Sequence, residues 1–304
     1  SVTTDQEQIQ QQKPYLDPSI RQVLTIERAG VVDVYALGSL MLKLARRQGV
    51  KFLQGNVSDI QRERAGYALQ VGPQSLHAQQ LILCGGPFTA ELAGYLGIEL
   101  PVYSVAQRKF VIPDPRNIIP RDMPFTIYAD SQKLPWSEQE LELINGDKDY
   151  SHLLNDFPAG LHIKPEGRQQ IKMGWAFNRA AEKPAWDLQT DHEFPSVVMR
   201  GATRFIPGLA SYVDDVPTPI VQFAGYYTRT EENLPLIGEL EENLLVVSAL
   251  AGYGTMSACA AGHLCAAQSN QASLPDYAPY LSPQRYLSTA LMREIRSINA
   301  DGQL

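Results

Sequence analysis

The feature that most constrains this chain is a strand, a glycine turn and a helix that follow one another near its end. Residues 244–247 (Leu-Leu-Val-Val) form a short apolar run of strand-forming residues. Gly252 and Gly254 then bracket one tyrosine, and glycine permits backbone angles that other residues resist. Residues 257–267 are dense in alanine, which favours a helix. N–H groups at the start of such a helix would face an electron-rich ring or an anion, although an ordinary strand-to-helix connection explains the segment equally well.

Composition places the chain among ordinary globular proteins. It has 304 residues, of which 44% are apolar and 19% charged, enough for one large or two ordinary domains. The net charge of −7, without a basic block, argues against a nucleic-acid partner. No apolar run approaches the length of a membrane span, and the opening residues are polar and Gln-rich. We therefore expect no membrane span, no secretory signal and a cytoplasmic location.

The cysteines and histidines form no metal-binding pattern. Cys84, Cys259 and Cys265 have neither metal-ligand spacing nor the even number of a disulfide framework, and the five histidines are scattered. We expect no metal site, and we interpret the thiols as buried and inert in a reducing compartment.

The order of predicted elements divides the chain into two regions. Residues 1–100 predict helix, strand, hairpin, strand, turn and helix, an order typical of half of an α/β domain. Residues 101–219 are punctuated by proline and read as a second domain on a mixed, largely antiparallel sheet. Residues 220–304 return to the first domain. The fold class is therefore mixed α/β, with an incomplete doubly wound domain joined to a second domain.

Three local predictions belong to the first region. Asp33 would cap a helix that runs to about residue 48 and ends at Gly49, because apolar residues recur there at helical spacing. Residues 50–57 are predicted as one strand, and residues 76–84 as another.

Five segments resemble motifs of one known family, in that family's order. They are residues 30–33 (GVVD), residues 56–57 (NV), residues 81–89 (LILCGGPFT), residues 225–238 (GYYTRTEENLPLIG) and residues 251–262 (AGYGTMSACAAG). On these motifs the chain resembles the D-amino-acid oxidase/sarcosine oxidase-type (DAO) FAD-dependent oxidoreductases. The resemblance implies a Rossmann-like FAD-binding domain and a substrate-binding domain.

One motif of that family is missing. Its members open with a strand, a G-x-G-x-x-G turn and a helix, where the glycines let the FAD pyrophosphate approach the helix N-terminus. The sequence contains no such motif. We expect a family member that lacks its amino-terminal part, through truncation or because a partner chain carries that part.

The resemblance assigns the glycine turn to the flavin. It implies that Gly252, Tyr253 and Gly254 lie beside the pyrimidine end of the ring, with Thr255 and Met256 following on the same turn. N–H groups at a helix start would stabilise the negative charge of the reduced flavin, which agrees with this placement.

Four further residues are implied to contact the cofactor. Asn56 and Val57 match the strand end that touches adenine through backbone groups, and Gly85 and Gly86 match the turn that passes the dinucleotide. A plain strand end and a tight turn explain these positions equally well. Gly225 stands where some members carry the cysteine that bonds the flavin, so the resemblance implies non-covalent FAD.

The catalytic and substrate residues are also implied by the resemblance. Lys172, in a strand that resembles the K-x-G-Y segment of the sarcosine oxidase branch, would sit over the flavin and help O2 accept electrons; a solvated strand lysine is the alternative. Tyr227, Arg229 and Trp175 would contact the substrate, unless the aromatics belong to the core. Met256 replaces the lysine that clamps a substrate carboxylate in amino-acid-oxidising members, which puts a simple N-methyl amino acid in doubt.

The resemblance leads to three hypotheses of function. In the first, the chain oxidises the C–N bond of a small-molecule amine or amino-acid-like substrate to an imine, and O2 or another acceptor reoxidises the FAD. In the second, the chain is a catalytically silent module that needs a partner carrying the dinucleotide motif. A third keeps the enzyme and exchanges the amine for an alcohol or hydroxy acid.

Overall fold

A computed structural model describes residues 1–148 and 150–298. The strands are β1 (Val2–Thr3), β2 (Val23–Leu24), β3 (Val57–Glu63), β4 (Gly66–Val71), β5 (Gln74–Ala78), β6 (Leu81–Leu83), β7 (Tyr103–Pro113), β8 (Thr126–Tyr128), β9 (Leu161–Glu166), β10 (Gln170–Gly174), β11 (Val221–Arg229), β12 (Leu236–Glu241) and β13 (Leu244–Ser248). The helices are α1 (Gln6–Gln12), α2 (Val34–Arg47), α3 (Thr89–Gly94), α4 (Glu138–Gly146), α5 (Phe194–Ala202), α6 (Gly254–Ser269), α7 (Ala278–Leu281) and α8 (Thr289–Ser297).

The largest sheet has five antiparallel strands in the order β11-β7-β10-β9-β8. Side chains alternate between its faces, so Ile171 and Met173 of β10 point into the core while Lys172 points the other way. α5 covers the core face; a Cβ on Gly201 of this helix would lie 2.6 Å from the ring of Trp175. β11 pairs with β7 along its whole length, so this sheet takes its edge strand from beyond the expected boundary at residue 219.

A second sheet has the order β12-β13-β6, and its β13–β6 pair is parallel. Leu244 and Val246 are buried on one face of β13, whereas Leu245 packs with Leu264 of α6 on the other. Burial on both faces is typical of strands in α/β folds. Parallel and antiparallel sheets with packed helices confirm the predicted mixed α/β class.

A third sheet, β3-β4-β5, is a meander that joins the second sheet. Ile60 and Tyr67 enter the same hydrophobic cluster as Leu244. Arg62 donates to both carboxylate oxygens of Glu241 on β12, at 2.6 and 2.8 Å. The two sheets are therefore held by apolar packing and by a bidentate ion pair at their border.

Two strand predictions are wrong in extent. Residues 51–56 are irregular and the strand begins only at Val57, where pairing with Val71 starts. The single strand predicted over residues 76–84 is two strands in different sheets. β5 pairs with β4 in the third sheet. After a bend at residues 79–80, β6 pairs with β13 in the second sheet. The chain must change direction between the two sheets, so the two segments cannot form one strand.

Helix α2 forms as predicted but buries none of its residues. Asp33 Oδ1 accepts hydrogen bonds from the N–H groups of Tyr35 and Ala36, both at 3.0 Å, and the helix ends before Gly49, whose φ is +90°. Large apolar side chains on and around it are exposed: Val31, Tyr35, Leu40, Met41, Leu44, Val50, Phe52 and Leu53. So many exposed large apolar side chains within one stretch of chain are unusual for a protein exterior.

Candidate functional site

The face of the five-stranded sheet opposite α5 carries the predicted lysine. We call it the outer face. Antiparallel register places Lys172 opposite Val111, and Lys109 opposite both Gly174 and Phe223. Lys109 and Lys172 are therefore diagonal neighbours, close enough for long side chains to meet.

Lys172 lies over an aromatic ring rather than beside a carboxylate. Its Nζ is 5.6 Å from the centroid of Phe223, a cation–π distance, and the Phe223 side chain is half exposed. The pKa of the neighbouring Lys109 is lowered, chiefly because burial disfavours its charged form and secondly because Lys172 repels it. The outer face thus holds two close positive charges on a partly apolar surface.

His162 is buried beside these lysines. Its Nδ1 lies 2.9 Å from the Gly160 carbonyl oxygen, which assigns the proton to Nδ1, and Nε2 has no hydrogen-bond partner among the described residues. Gly174 makes room for this ring, since a Cβ there would lie 2.6 Å from Nε2. Burial first, and the charge of Lys109 second, lower the pKa of His162 to about 4. The imidazole is therefore neutral at physiological pH.

The predicted glycine segments meet at one edge of the second sheet. β6 and β13 run parallel, so the turns that follow them, at Gly85-Gly86 and at residues 249–254, leave the same edge. Gly86 has φ +56°, a left-handed conformation that favours glycine. Gly85 is required for packing, because a Cβ there would lie 2.7 Å from Cδ1 of Leu92. The carboxyl edge of parallel strands is where ligands bind in open α/β sheets.

Gly252 is needed for a different reason from the one predicted. The left-handed backbone in this turn belongs to Ala249, with φ +57°, and Ala251, with φ +48°, while Gly254 is helical with φ −52°. A Cβ on Gly252 would instead lie 2.8 Å from Cε2 of Tyr227. The expectation that the two glycines supply unusual backbone angles is therefore wrong; steric contact requires Gly252, and two alanines carry the strained angles.

Tyr227 connects the outer face to the glycine turn. It lies on the same face of β11 as Phe223, and its ring packs on Gly252. Burial raises the pKa of Tyr227, and the nearby Tyr253 raises it further. Its phenol therefore stays protonated at physiological pH and remains able to donate a hydrogen bond.

Helix α6 begins at this turn. Its N-cap residue, Tyr253, makes no side-chain capping bond to the first N–H groups. Thr255 and Met256 in its first turn are exposed. Sixteen residues give the helix a full dipole, whose positive end lies beside Gly252.

The other predicted residues are not all brought to this place. Arg229 is buried at the end of β11, where its Nε donates to Oδ1 of Asn233 at 3.0 Å. Trp175 is 1% exposed on the core face, and its Nε1 donates to the Pro158 carbonyl oxygen at 2.9 Å. Trp175 therefore packs as a core residue, turned away from Lys172, and we leave it out of the site.

Asn56 and Val57 lie at the far end of the third sheet. Asn56 is exposed and borders a cavity of about 280 Å³ beside Gly72. Gly55 lets the chain approach β4 closely, since a Cβ there would lie 2.4 Å from Cγ1 of Val71. A concave surface thus exists next to the predicted adenine-contacting segment.

The loop that links β11 to β12 is fixed by a buried ion pair. The Arg285 guanidinium binds the Glu232 carboxylate, with Nε 2.8 Å from Oε1, and also donates to the Pro235 carbonyl oxygen at 2.7 Å. Burial opposes ionisation of Glu232, but hydrogen bonds from Tyr286 and Arg285 outweigh it and lower the pKa of the carboxyl. This pair anchors the loop to the segment between α7 and α8.

Sequence reasoning did not single out Lys109 or His162. Lys109 gave only a weak signal, because Gln107 and Arg108 stand directly before it in β7 and make the polar stretch look like ordinary surface. His162 gave no such signal, since its burial depends on the third strand of the sheet. Among residues 1–148 and 150–298, no group of His, Cys, Asp and Glu could hold a metal ion, and no helix is long and apolar enough to cross a membrane.

Comparison with known proteins defines the family. A profile described as FAD dependent oxidoreductase (DAO) matches residues 2–268, and the chain belongs to this family. A search of curated proteins finds no match.

Solved structures share the fold. Glycine oxidase from Geobacillus kaustophilus superposes with a TM-score of 0.67 at 17% identity, over 93% of this chain and 66% of its own, which is just under two thirds. L-proline dehydrogenase from P. horikoshii gives 0.69 at 18% identity, over 94% and 69%. Iminodiacetate oxidase from Chelativorans sp. BNC1 gives 0.67 at 16% identity, over 93% and 67%.

Proposed function

We propose that this chain acts in an FAD-dependent oxidoreductase that oxidises the C–N bond of an amine or amino-acid-like substrate to an imine. The observation that carries the proposal is the junction formed by Tyr227. This residue joins the lysine-bearing outer face to the glycine turn at the carboxyl edge of a parallel strand pair, in a chain of the DAO family. A redox ring bound there would meet a cation on one side and helix N–H groups on the other.

The residues of the turn fit the isoalloxazine end of FAD. Gly252 lets the Tyr227 ring pack directly on the turn, and the start of α6, which has no side-chain cap, would offer N–H groups to the carbonyl oxygens of the pyrimidine. Gly225 offers no sulfur and has open space around it, which supports non-covalent binding. When bound, FAD would supply the two-electron acceptor chemistry that side chains lack.

The chain's own residues would orient the reactants and manage charge. We assign the electrostatic role to Lys172, which would stabilise negative charge that develops as O2 accepts electrons. Tyr227 would wall the site and exclude water. We assign residues 101–219 to substrate binding and residues 1–100 and 220–304 to cofactor binding, with β11 of the latter completing the five-stranded sheet of the former. In this arrangement Asn56, Val57, Gly85 and Gly86 would contact the adenosine half of FAD.

The similar structures support an amine rather than an alcohol as the substrate. Glycine, proline and iminodiacetate, after which those proteins are named, all carry an amine nitrogen next to an oxidisable carbon. The low sequence identities mean that this support concerns the reaction class alone.

A second candidate is the catalytically silent module that requires a partner chain. The observation that favours it is the absence of a G-x-G-x-x-G motif from the sequence, together with the exposed apolar surface of α2. A partner carrying the motif would bind the pyrophosphate that this chain has no matching turn to hold.

FAD titration separates the two candidates. The 304-residue chain is purified, scanned for flavin absorbance and titrated with FAD while flavin fluorescence is followed. Stoichiometric binding, with flavin released intact on acid precipitation, supports a non-covalent flavoenzyme. A folded chain that binds no FAD contradicts the isolated enzyme and favours the module. A panel of secondary and tertiary amines, with peroxide as readout, then identifies the substrate.

A further inference from the structure

The two lysines of the outer face lack compensating negative charge. Lys164, on the same face, is paired with Glu166 at 2.7 Å. Within the described residues, neither Lys109 nor Lys172 forms an ion pair or hydrogen bond, although Lys109 is largely withdrawn from solvent. Partly buried cations are normally paired, so this arrangement points to a missing anion.

The surroundings select the kind of anion. Phe223 lies directly opposite Lys109 and beneath Lys172, which gives the two charges an apolar floor. Beside it, Gly225 leaves open space above β11. The imidazole of His162, which packs beside Lys109 over Gly174, is neutral and adds no charge. An organic carboxylate with a flat or apolar body would place its oxygens on the lysines and its body on Phe223.

We propose that Lys109 and Lys172 together form an anion site, and that Lys109 is the residue that selects a carboxylate-bearing substrate. The inference rests on the proposed function and deepens it. It places the carboxylate over β7, on the outer face, rather than at the start of α6, where Met256 has no charge to offer. His162 acts as a positioning residue, because its ring and the stem of Lys109 both pack over Gly174.

The test measures binding rather than turnover. Benzoate is titrated calorimetrically into the 304-residue chain, with and without FAD, and benzamide serves as the neutral match. Benzoate is expected to bind and benzamide to bind at least about tenfold more weakly, since a hydrogen bond to a charged group contributes that much. Lys109→Met and Lys172→Met are each expected to weaken benzoate at least about tenfold, and Lys109→Arg to restore most of the affinity.

Lys164→Met is the matched control, because it removes a lysine of the same face whose charge Glu166 already neutralises. It is expected to change benzoate affinity less than about twofold. Equal loss in all three methionine variants, or no benzoate binding by the folded chain in either arm, would overturn the proposal.

Inorganic pyrophosphate is titrated in the same way, to test whether the site prefers a phosphate to a carboxylate. If it binds more tightly than benzoate through the same two lysines, the anion is a phosphate and the substrate assignment is wrong. The arm without FAD separates this proposal from the proposed function, since a chain that binds benzoate but never FAD would retain the anion site and lose the flavoenzyme. Urea unfolding of each variant confirms that it is folded.

Discussion

The ring of Tyr227 packs so closely on Gly252 that a Cβ at position 252 would lie 2.8 Å from Cε2 of the tyrosine. This contact joins the end of strand β11 to the turn that precedes α6. It explains a glycine that the backbone angles do not require, and it yields a matched pair of substitutions.

Gly252→Ala is expected to destabilise the protein by about 1–3 kcal/mol, because overpacking must displace either the ring or the turn. Gly254→Ala is the control, since the nearest atom to its Cβ would be 3.9 Å away and its φ is −52°. Its free energy of unfolding should stay within about 1 kcal/mol of the parent. Urea denaturation measures both, and equal effects would show that Tyr227 does not press on residue 252.

Lys172→Met is expected to slow flavin reoxidation by O2 at least about tenfold in the FAD-loaded protein, while the rate of flavin reduction at saturating substrate stays nearly unchanged. The reason is that a cation beside the acceptor stabilises charge that develops only in the oxidative half-reaction. Stopped-flow absorbance of the flavin separates the two steps. A similar loss in the two limiting rates would contradict a specific role of Lys172 in reoxidation.

His162 should make the free energy of unfolding depend on pH between about 4 and 6.5. Its pKa is about 4 in the folded protein against about 6.5 when unfolded, so between these values the unfolded chain binds the extra proton. The stabilisation is complete above pH 6.5 and is lost as the pH falls towards 4. From pH 7 to pH 5 the loss should be about 2 kcal/mol. Urea titrations at the two pH values measure it, and His162→Asn, which keeps a donor for Gly160, should remove most of the difference.

Arg285→Met is expected to cost about 3–5 kcal/mol, because it leaves the Glu232 carboxylate buried without its partner. Arg62→Met is the comparison, since the Arg62–Glu241 pair is formed by side chains that are 46% and 33% exposed. Exposed pairs contribute little, and about 1 kcal/mol is expected. Chemical denaturation of the two variants measures the contrast, and equal losses would contradict the structural role given to the buried pair.

The apolar surface of α2 is expected to drive self-association of the chain. The double variant Leu40→Gln/Leu44→Gln removes two half-exposed leucines of this helix. In sedimentation velocity, this variant should show a larger fraction of monomer than the parent chain. Its free energy of unfolding should change by no more than about 0.5 kcal/mol, since neither residue is buried. Leu287→Gln, at an exposed leucine elsewhere, is the control and should leave association unchanged. A monomeric parent chain would contradict the prediction.

Local patterns predicted much of this fold because local physics decides it. Asp33 caps α2 through its own side chain, and alternation along β7 and β10 follows from which residues face the core. The split between β5 and β6 was beyond such reasoning, because the partner of β6 lies about 160 residues further along the chain. Pairing at that distance leaves no trace in the strand itself.

The site was predicted in part. The glycine turns and Lys172 were recognised from motifs, and the structure lays the two turns along one edge of a sheet. Lys109 was missed because its importance depends on Phe223, which reaches it from a strand over 100 residues away. Trp175 lies on the core face, which is the alternative that the sequence left open, and counting from Lys172 along the strand gives this opposite face.

β11 carries Phe223 and Tyr227 on the same face, four residues apart on one continuous strand. An extended chain rises about 3.3 Å per residue, so the two side chains stand about 13 Å apart. The outer face therefore presents two separate aromatic contacts along β11, one at Phe223 and one at Tyr227 beside Gly252. A small aromatic compound that packs on one of these rings leaves the other ring in place for a second contact.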